Sequence, residues 1–249
     1  MIGIGMLVAC SNVEEADRII NVSNVSVGRN VLVEDYIGQR CINCPKATIV
    51  LEQLQQEFGE NTVVAVSIHG GPLGFSGNST TQGLATDFGT EYYNYWNFEY
   101  QPVGLVNRHN SLNYQEWTAS VLEELTKPAY VNINASAREI NNSINIIINV
   151  QSIAGTTQGK LQVWLIEDNI KAIQMMPDGS TNKDYIHNHV LRTPVNGTWG
   201  EDVIIKENSS VSKNYTIELD KNWNPSSLSI VSFVYNDDGV LQVIKTKIE

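Results

Sequence analysis

The stretch VLVEDYIGQRCINCPK, residues 31–46, decides the fold of this chain. Its first seven residues, Val31 to Ile37, are mostly apolar and β-branched, which predicts a buried strand. A helix is predicted over residues 44–58, because Pro45 suits a first helical turn and apolar residues then recur at helical spacing. The run over residues 62–68 predicts a second buried strand. A strand, a helix and a strand in this order predict a parallel β-α-β unit.

Two cysteines lie between the first predicted strand and the helix, in the motif Cys41-Ile42-Asn43-Cys44. Unpaired N–H groups and the helix dipole stabilise a thiolate at a helix start, so Cys41 is the expected nucleophile. The positive charge of Arg40 acts in the same direction. Cys44 lies about one turn further on, near enough to resolve a mixed disulfide. The same pair also fits a permanent disulfide, or part of a metal site.

This arrangement resembles the active-site motif of thioredoxins. The resemblance implies a cis-proline at the start of a strand opposite the cysteines, and Pro102, just before the apolar run 103–106, occupies that place. It also implies a buried carboxylate on the strand before the motif, for which Asp35 has the matching offset and Glu34 is a close competitor. In that chemistry one of these carboxylates moves a proton, and Pro102 presents the substrate backbone. An Ile-Asn pair replaces the thioredoxin Gly-Pro between the cysteines.

The sequence pattern changes near Pro128. Two further helices are predicted before it, over residues 84–98 and 114–125. After it, apolar and polar residues alternate in about seven runs separated by Asn, Ser and Gly clusters, which predicts an all-β module. The predicted fold class is therefore an α/β thioredoxin-like domain, residues 29–128, followed by an all-β, immunoglobulin-like sandwich domain, residues 129–249.

The N-terminus has the pattern of an exported lipoprotein. A short apolar run ends in LVAC, which resembles the bacterial lipobox, and its last residue is Cys10. Residues 1–10 are therefore predicted to be a signal peptide ending at the lipidated Cys10, and residues 11–28 a linker. The alternative is a short strand with a buried cysteine. Acidic residues soon after Cys10 resemble surface-export signals of lipoproteins, and they are equally typical of a solvated linker.

The composition limits the partners. The 249-residue chain has a formal net charge of −11, which disfavours nucleic acid. A membrane partner is expected through the lipid anchor alone. The chain has no phosphate-binding glycine loop and no H-E-x-x-H motif, so no cofactor is expected. His187 and His189 share one face of a predicted strand, but solvent-facing strand histidines are commoner than metal pairs, so no metal is expected.

Three runs together resemble a known family. They are VLVEDYIGQRCINCPK at residues 31–46, QPVGLVNR at 101–108 and HNHVLR at 187–192. They resemble the 28-kDa outer-membrane lipoprotein family of Bacteroidetes, and with the lipobox the resemblance covers nearly the whole chain. It implies a cell-envelope lipoprotein of the outer membrane, with a thioredoxin-like domain and a β-rich C-terminal domain. Adhesin or receptor roles and a thiol-redox role are both implied.

Three roles are compatible with these patterns: an enzyme, a binding lipoprotein and a purely structural component of the envelope. As an enzyme, the protein would be a thiol-disulfide oxidoreductase whose substrates are exported proteins or peptides. As a surface adhesin or binding lipoprotein, it would hold a host or surface ligand, with Cys41–Cys44 as a structural disulfide. An aromatic cluster is a candidate surface for the second function, although helix core and a lid are the simpler interpretation. The cluster consists of Tyr92, Tyr93, Tyr95, Trp96, Phe98 and Tyr100.

Overall fold

The computed structural model describes residues 28–249, so the predicted signal peptide, the lipid site Cys10 and nearly all of the linker lie outside the described residues. Within this range, strands hold 46% of the residues and helices 18%. The thirteen strands in this range are β1 Val31–Ile37, β2 Val63–His69, β3 Val103–Val106, β4 Val131–Ile140, β5 Ser143–Ser152, β6 Thr157–Glu167, β7 Ile170–Met175, β8 Thr181–His187, β9 Val190–Pro194, β10 Glu201–Ile205, β11 Ser210–Glu218, β12 Leu228–Asn236 and β13 Gly239–Lys247. Its three α-helices are α1 Cys44–Phe58, α2 Asp87–Tyr95 and α3 Trp117–Leu125.

The predicted β-α-β unit is present. Strands β1 and β2 are parallel neighbours, with Val31 opposite Val63 and Ile37 opposite His69. Helix α1 begins at Cys44 with a proline in its first turn, and its apolar face packs on both strands. Strand β3 lies antiparallel on the other side of β1. These elements were predictable because local periodicity sets each of them.

The predicted fold class is wrong. The N-terminal strands form no thioredoxin-like sheet of their own, because β9 pairs with β2 and continues the sheet into the C-terminal part of the chain. The result is one eight-stranded sheet in the order β13-β12-β6-β9-β2-β1-β3, with β10 paired to β6. A three-stranded sheet, β11-β5-β4, and a hairpin, β7-β8, complete it. A mostly β protein with mixed sheets therefore replaces the expected α/β domain followed by an immunoglobulin-like sandwich.

Apolar layers cover both faces of the large sheet. The three-stranded sheet packs on β6, β10 and β12 through side chains such as Ile146 and Val163. The opposite face of β6 and β12 carries Trp164 and Phe233, which pack with apolar residues of β1, β2 and β3 and with Tyr92 of α2. Helices α1 and α3 cover the remaining face of β1 and β2. Since both faces are covered, β1 and β2 are buried along their whole length without alternation.

A shared aromatic core joins the N-terminal and C-terminal parts. The ring centroids of Trp164 and Phe233 are 4.8 Å apart, and those of Trp164 and Tyr92 are 5.6 Å apart. The indole N–H of Trp164 also donates to the Tyr92 hydroxyl at 3.1 Å. Aromatic pairs of this kind stabilise a core beyond the area they bury. These contacts join the N-terminal and C-terminal parts of the chain in one core.

Candidate functional site

Cys41 and Cys44 form a disulfide at the turn between β1 and α1. Their Cα atoms are 5.4 Å apart. Both residues are buried, with exposed fractions of 2% for Cys41 and 1% for Cys44. Ile37 and Leu73 pack against the pair. The sulfur atoms are therefore shielded from any large partner.

The β7–β8 hairpin covers one side of the disulfide. The buried Gln174 of β7 donates from Nε2 to the carbonyl oxygens of Cys41, at 2.9 Å, and Gly38, at 3.3 Å. The next residue, Met175, donates its backbone N–H to the carbonyl oxygen of Gln39 at 2.9 Å. The turn of the C-x-x-C motif is thus held by a residue 133 positions away in the sequence.

A loop over residues 70–85 covers the disulfide as well. The fully buried Gln39 accepts a hydrogen bond from Leu84 N at 2.8 Å and donates one to the Gln82 carbonyl oxygen at 3.2 Å. The loop approaches so closely at Gly38 that a Cβ there would lie 2.1 Å from the Leu73 carbonyl oxygen. Only glycine fits at this position without moving the loop.

The predicted proline lies at the same end of the sheet. The Gln101–Pro102 peptide bond is cis, as predicted. Val103 is opposite Tyr36 in the register of β3 with β1, so Pro102 lies near the end of β1 that leads into the cysteines. The Gln101 side chain accepts a hydrogen bond from Leu73 N at 3.0 Å and so holds the covering loop. We call Gln39, Gln101 and Gln174 the glutamine clamp.

A small polar cavity lies beneath α1. Asp35 is fully buried there, and neither carboxyl oxygen has a hydrogen-bond partner in the described part of the chain. Ser67 is opposite Asp35 in the strand register, and His69 is two residues further along β2. With His187 of β8, these side chains line a cavity of about 30 Å³, which has room for roughly one water molecule.

Burial controls protonation in this cavity. It raises the pKa of Asp35 well above its ordinary value. Burial, with contributions from the nearby His187 and Arg192, lowers the pKa of His69 well below its ordinary value. Burial also lowers the pKa of His187 to about 4. The cavity therefore favours an uncharged acid beside uncharged imidazoles.

Glu34, the competing carboxylate, points to the opposite face of β1, because successive strand residues alternate between faces. Its Oε1 accepts a hydrogen bond from Arg108 Nε at 2.8 Å, and its Oε2 accepts one from the Tyr36 hydroxyl at 2.8 Å. Both charged side chains are buried, with 0% of Glu34 and 3% of Arg108 exposed. Burial alone lowers the pKa of Arg108, but Glu34 raises it above its ordinary value. Glu34 therefore belongs to a core ion pair and does not line the cavity.

The burial of Arg108 in the aromatic core was not predicted from the sequence. Four rings lie within cation–π range of its guanidinium. The distances from its Cζ to the ring centroids are 5.4 Å for Trp164, 5.9 Å for Trp199, 4.8 Å for Phe233 and 4.2 Å for Tyr235. The one available signal was a charged residue two positions after the apolar run of β3.

The predicted aromatic cluster is divided between core and surface. Tyr92 and Tyr93 are buried. Tyr95 and Tyr100 are 64% and 48% exposed. Trp96 and Tyr95 line a groove of about 930 Å³. Tyr92 and Tyr93 therefore belong to the core, and Tyr95 and Trp96 belong to the groove.

The two strand histidines do not form a pair. His187 ends β8, and its ring centroid is 5.3 Å from that of His69. His189 lies in the next turn, where its Nδ1 is 2.9 Å from a carboxylate oxygen of Asp168. Over residues 28–249, no group of three or more His, Cys, Asp or Glu residues is arranged to hold a metal ion.

A mostly β chain with an intrachain disulfide defines a class of exported proteins, since such bonds persist in oxidising compartments. The sequence profile of outer membrane protein Omp28 matches residues 89–249, and the chain belongs to this family. It is an outer-membrane lipoprotein of the cell envelope, which confirms the predicted location. No helix within residues 28–249 is long and apolar enough to cross a bilayer. Lipidation at Cys10 stays a prediction.

Among the solved structures that resemble the chain are two from Porphyromonas gingivalis. HBP35 of Porphyromonas gingivalis is 14% identical, with a TM-score of 0.71, over 90% of this chain and 76% of that one. A domain of the outer membrane lipoprotein Omp28 from Porphyromonas gingivalis is 28% identical, with a TM-score of 0.38, over 49% of this chain and 89% of that domain. The first likeness shows a shared fold. No curated protein matches the chain in sequence.

Proposed function

We propose that this outer-membrane lipoprotein acts by binding a host or surface ligand, and that Cys41–Cys44 is a structural disulfide. The burial of both cysteines supports the structural role of the disulfide most strongly, and the groove lined by the exposed Tyr95 supports ligand binding. Thiol-disulfide exchange requires an attacking thiolate to reach a sulfur atom. The loop and the hairpin held by the glutamine clamp stand in the way of a protein substrate.

The disulfide has a structural task in this proposal. It fixes the turn whose carbonyl oxygens, on Gly38 and Cys41, accept hydrogen bonds from Gln174. The turn thereby positions the β7–β8 hairpin against the end of β1. Since the bond closes a loop with a sequence separation of only 3, its effect on chain entropy is small, below the roughly 3 kcal/mol of a 15-residue loop. Its contribution is therefore local and geometric.

Thiol exchange with exported proteins is the second candidate, and the cavity around Asp35 favours it. Burial raises the pKa of Asp35, and a protonated carboxyl is suited to exchange a proton with a thiol. In this alternative the reduced Cys41 attacks a disulfide of an exported protein and releases one substrate thiol. Cys44 then attacks the mixed disulfide, which releases the second substrate thiol and forms Cys41–Cys44, while Pro102 lies beside the substrate backbone. Glu34 does not transfer a proton in this alternative, since its carboxylate forms a buried ion pair with Arg108.

A trapping experiment in the native envelope separates the two functions. Cys44→Ser leaves Cys41 without a resolving partner, and Cys41→Ser is the matched control. A structural disulfide predicts that neither variant accumulates mixed disulfides with other proteins, and that both are reduced equally in stability. Covalent partners that appear with Cys44→Ser and not with Cys41→Ser would overturn the proposal in favour of exchange.

A further inference from the structure

A groove runs between the end of α2 and strands β6, β10 and β12, and neither cysteine is among the residues that line it. Its volume is about 930 Å³, near the upper end of the roughly 300–1,000 Å³ typical of small-ligand sites. Tyr95, the last residue of α2, and Trp96 just after it line the groove, and Trp199 lines it from the loop before β10. Lys160 and Asp202 line it from adjacent strands, where they pair.

The floor of the groove holds unused hydrogen-bond donors. Arg108 lines the groove, and its side chain is almost completely buried. Its Nε donates to Glu34, but Nη1 and Nη2 are buried and have no hydrogen-bond partner in the described part of the chain. The indole Nε1 of Trp96 is also buried and without such a partner there. Because an unmade hydrogen bond is costly for a buried donor, these atoms favour a ligand rich in acceptor oxygens.

The walls offer aromatic faces. The rings of Tyr95 and Trp199 lie against each other with centroids 4.1 Å apart, and Tyr95 is 64% exposed. The Tyr235 hydroxyl donates to the Trp199 carbonyl oxygen at 2.6 Å, which holds that loop in place. The face of such a ring that points into the groove is suited to pack against the C–H groups of a ligand.

The positive side chains that line the groove are each paired with a carboxylate, and the remaining charge at its rim is negative. Arg108 is paired with Glu34, and Lys160 is paired with Asp202 at 2.8 Å. Asp237 at the rim adds a negative charge, and the whole chain carries a net charge of −11. An anionic ligand is therefore disfavoured. The unpaired N–H groups of Arg108 and Trp96 can still bind the oxygen atoms of an uncharged ligand.

From these features we propose that the groove binds a neutral oligosaccharide. The apolar faces of the sugar rings pack on Tyr95 and Trp199. Sugar oxygens accept hydrogen bonds from Arg108 and Trp96, and hydroxyl groups donate to the rim carboxylates. This inference rests on the proposed binding function and names its ligand class.

The test uses the purified full-length protein and an array of immobilised oligosaccharides. The array carries neutral hexose and N-acetylhexosamine oligomers beside uronic-acid-containing ones. We expect binding to neutral members only, and Tyr95→Ala should weaken it at least tenfold in calorimetric titration with the best of them. Tyr100→Ala is the matched control, because this exposed tyrosine is not among the residues that line the groove, and it should bind as the wild type does.

Three outcomes would overturn the inference: no neutral oligosaccharide binds, only the uronic-acid oligomers bind, or Tyr95→Ala and Tyr100→Ala bind alike. A second variant, Ile204→Glu, adds a charge at an exposed position that lines the groove, and it should also weaken binding. The cysteine-trapping result is independent of these assays. If no oligosaccharide binds and no mixed disulfide forms, the ligand class is wrong while the structural role of the disulfide stands.

Discussion

Replacing Gln174 by alanine is expected to open the cover over the disulfide. Its Nε2 lies 3.3, 2.9 and 3.1 Å from the carbonyl oxygens of Gly38, Cys41 and Met175. An amide nitrogen has two hydrogens, so these contacts amount to two hydrogen bonds. At about 0.5–1.5 kcal/mol each, they stabilise the closed hairpin by about 1–3 kcal/mol.

The assay is the rate at which dithiothreitol reduces the disulfide in the folded protein. Because the sulfur atoms are buried, reduction requires local opening, and its rate follows the population of the open state. A loss of about 2 kcal/mol raises that population about 30-fold. The control is Gln53→Ala, at an exposed position of α1, which should leave the rate unchanged. An increase below about threefold with Gln174→Ala would refute the claim that the hairpin shields the bond.

Three further predictions concern the buried charges and the cavity. Glu34→Ala leaves the buried Arg108 unpaired and should lower the free energy of unfolding in urea by about 3–5 kcal/mol; a loss below about 1 kcal/mol would contradict the core ion pair. Asp35→Asn removes a carboxyl whose pKa is raised by folding. It should therefore stabilise the protein at pH 7 and have little effect near pH 3, where the wild-type carboxyl is protonated in both states; equal effects at both pH values would count against this. The pKa of His187 falls from 6.5 to about 4 on folding, so the unfolded state binds the proton first and stability should fall by up to about 3 kcal/mol as the pH drops through this window. His187→Phe should reduce that fall in urea titrations across the same range, and an unchanged slope would show that the ring is not buried in its neutral form.

Local features of the site were predictable from the sequence. The β-branched run of β1 and the proline in the first turn of α1 placed Cys41 and Cys44 between a strand and a helix. The strand and the helix follow from a few neighbouring residues, which is why periodicity and residue type were sufficient for them. The cis bond at Pro102 was implied by the resemblance of the C-x-x-C motif to thioredoxins.

Long-range pairing was not predictable in the same way. Alternation shows that β9 is a strand, but not that it pairs with β2 and joins the two parts of the chain. Gln39 and Gln174 are ordinary polar residues until the fold brings them to the same turn. Asp35 and Glu34 stayed competitors because β1 is buried on both faces, so no polar alternation marks which side chain points toward α1.

The reduction potential of Cys41–Cys44 in the intact protein is the most direct test of the central claim that the bond is structural. Burial beneath the glutamine clamp stabilises the closed, oxidised form. Equilibration with dithiothreitol buffers and quantification of free thiols should therefore give a value below about −300 mV, as for structural disulfides. A value between about −270 and −120 mV, the span of dithiol oxidoreductases, would contradict the account and favour exchange with exported proteins.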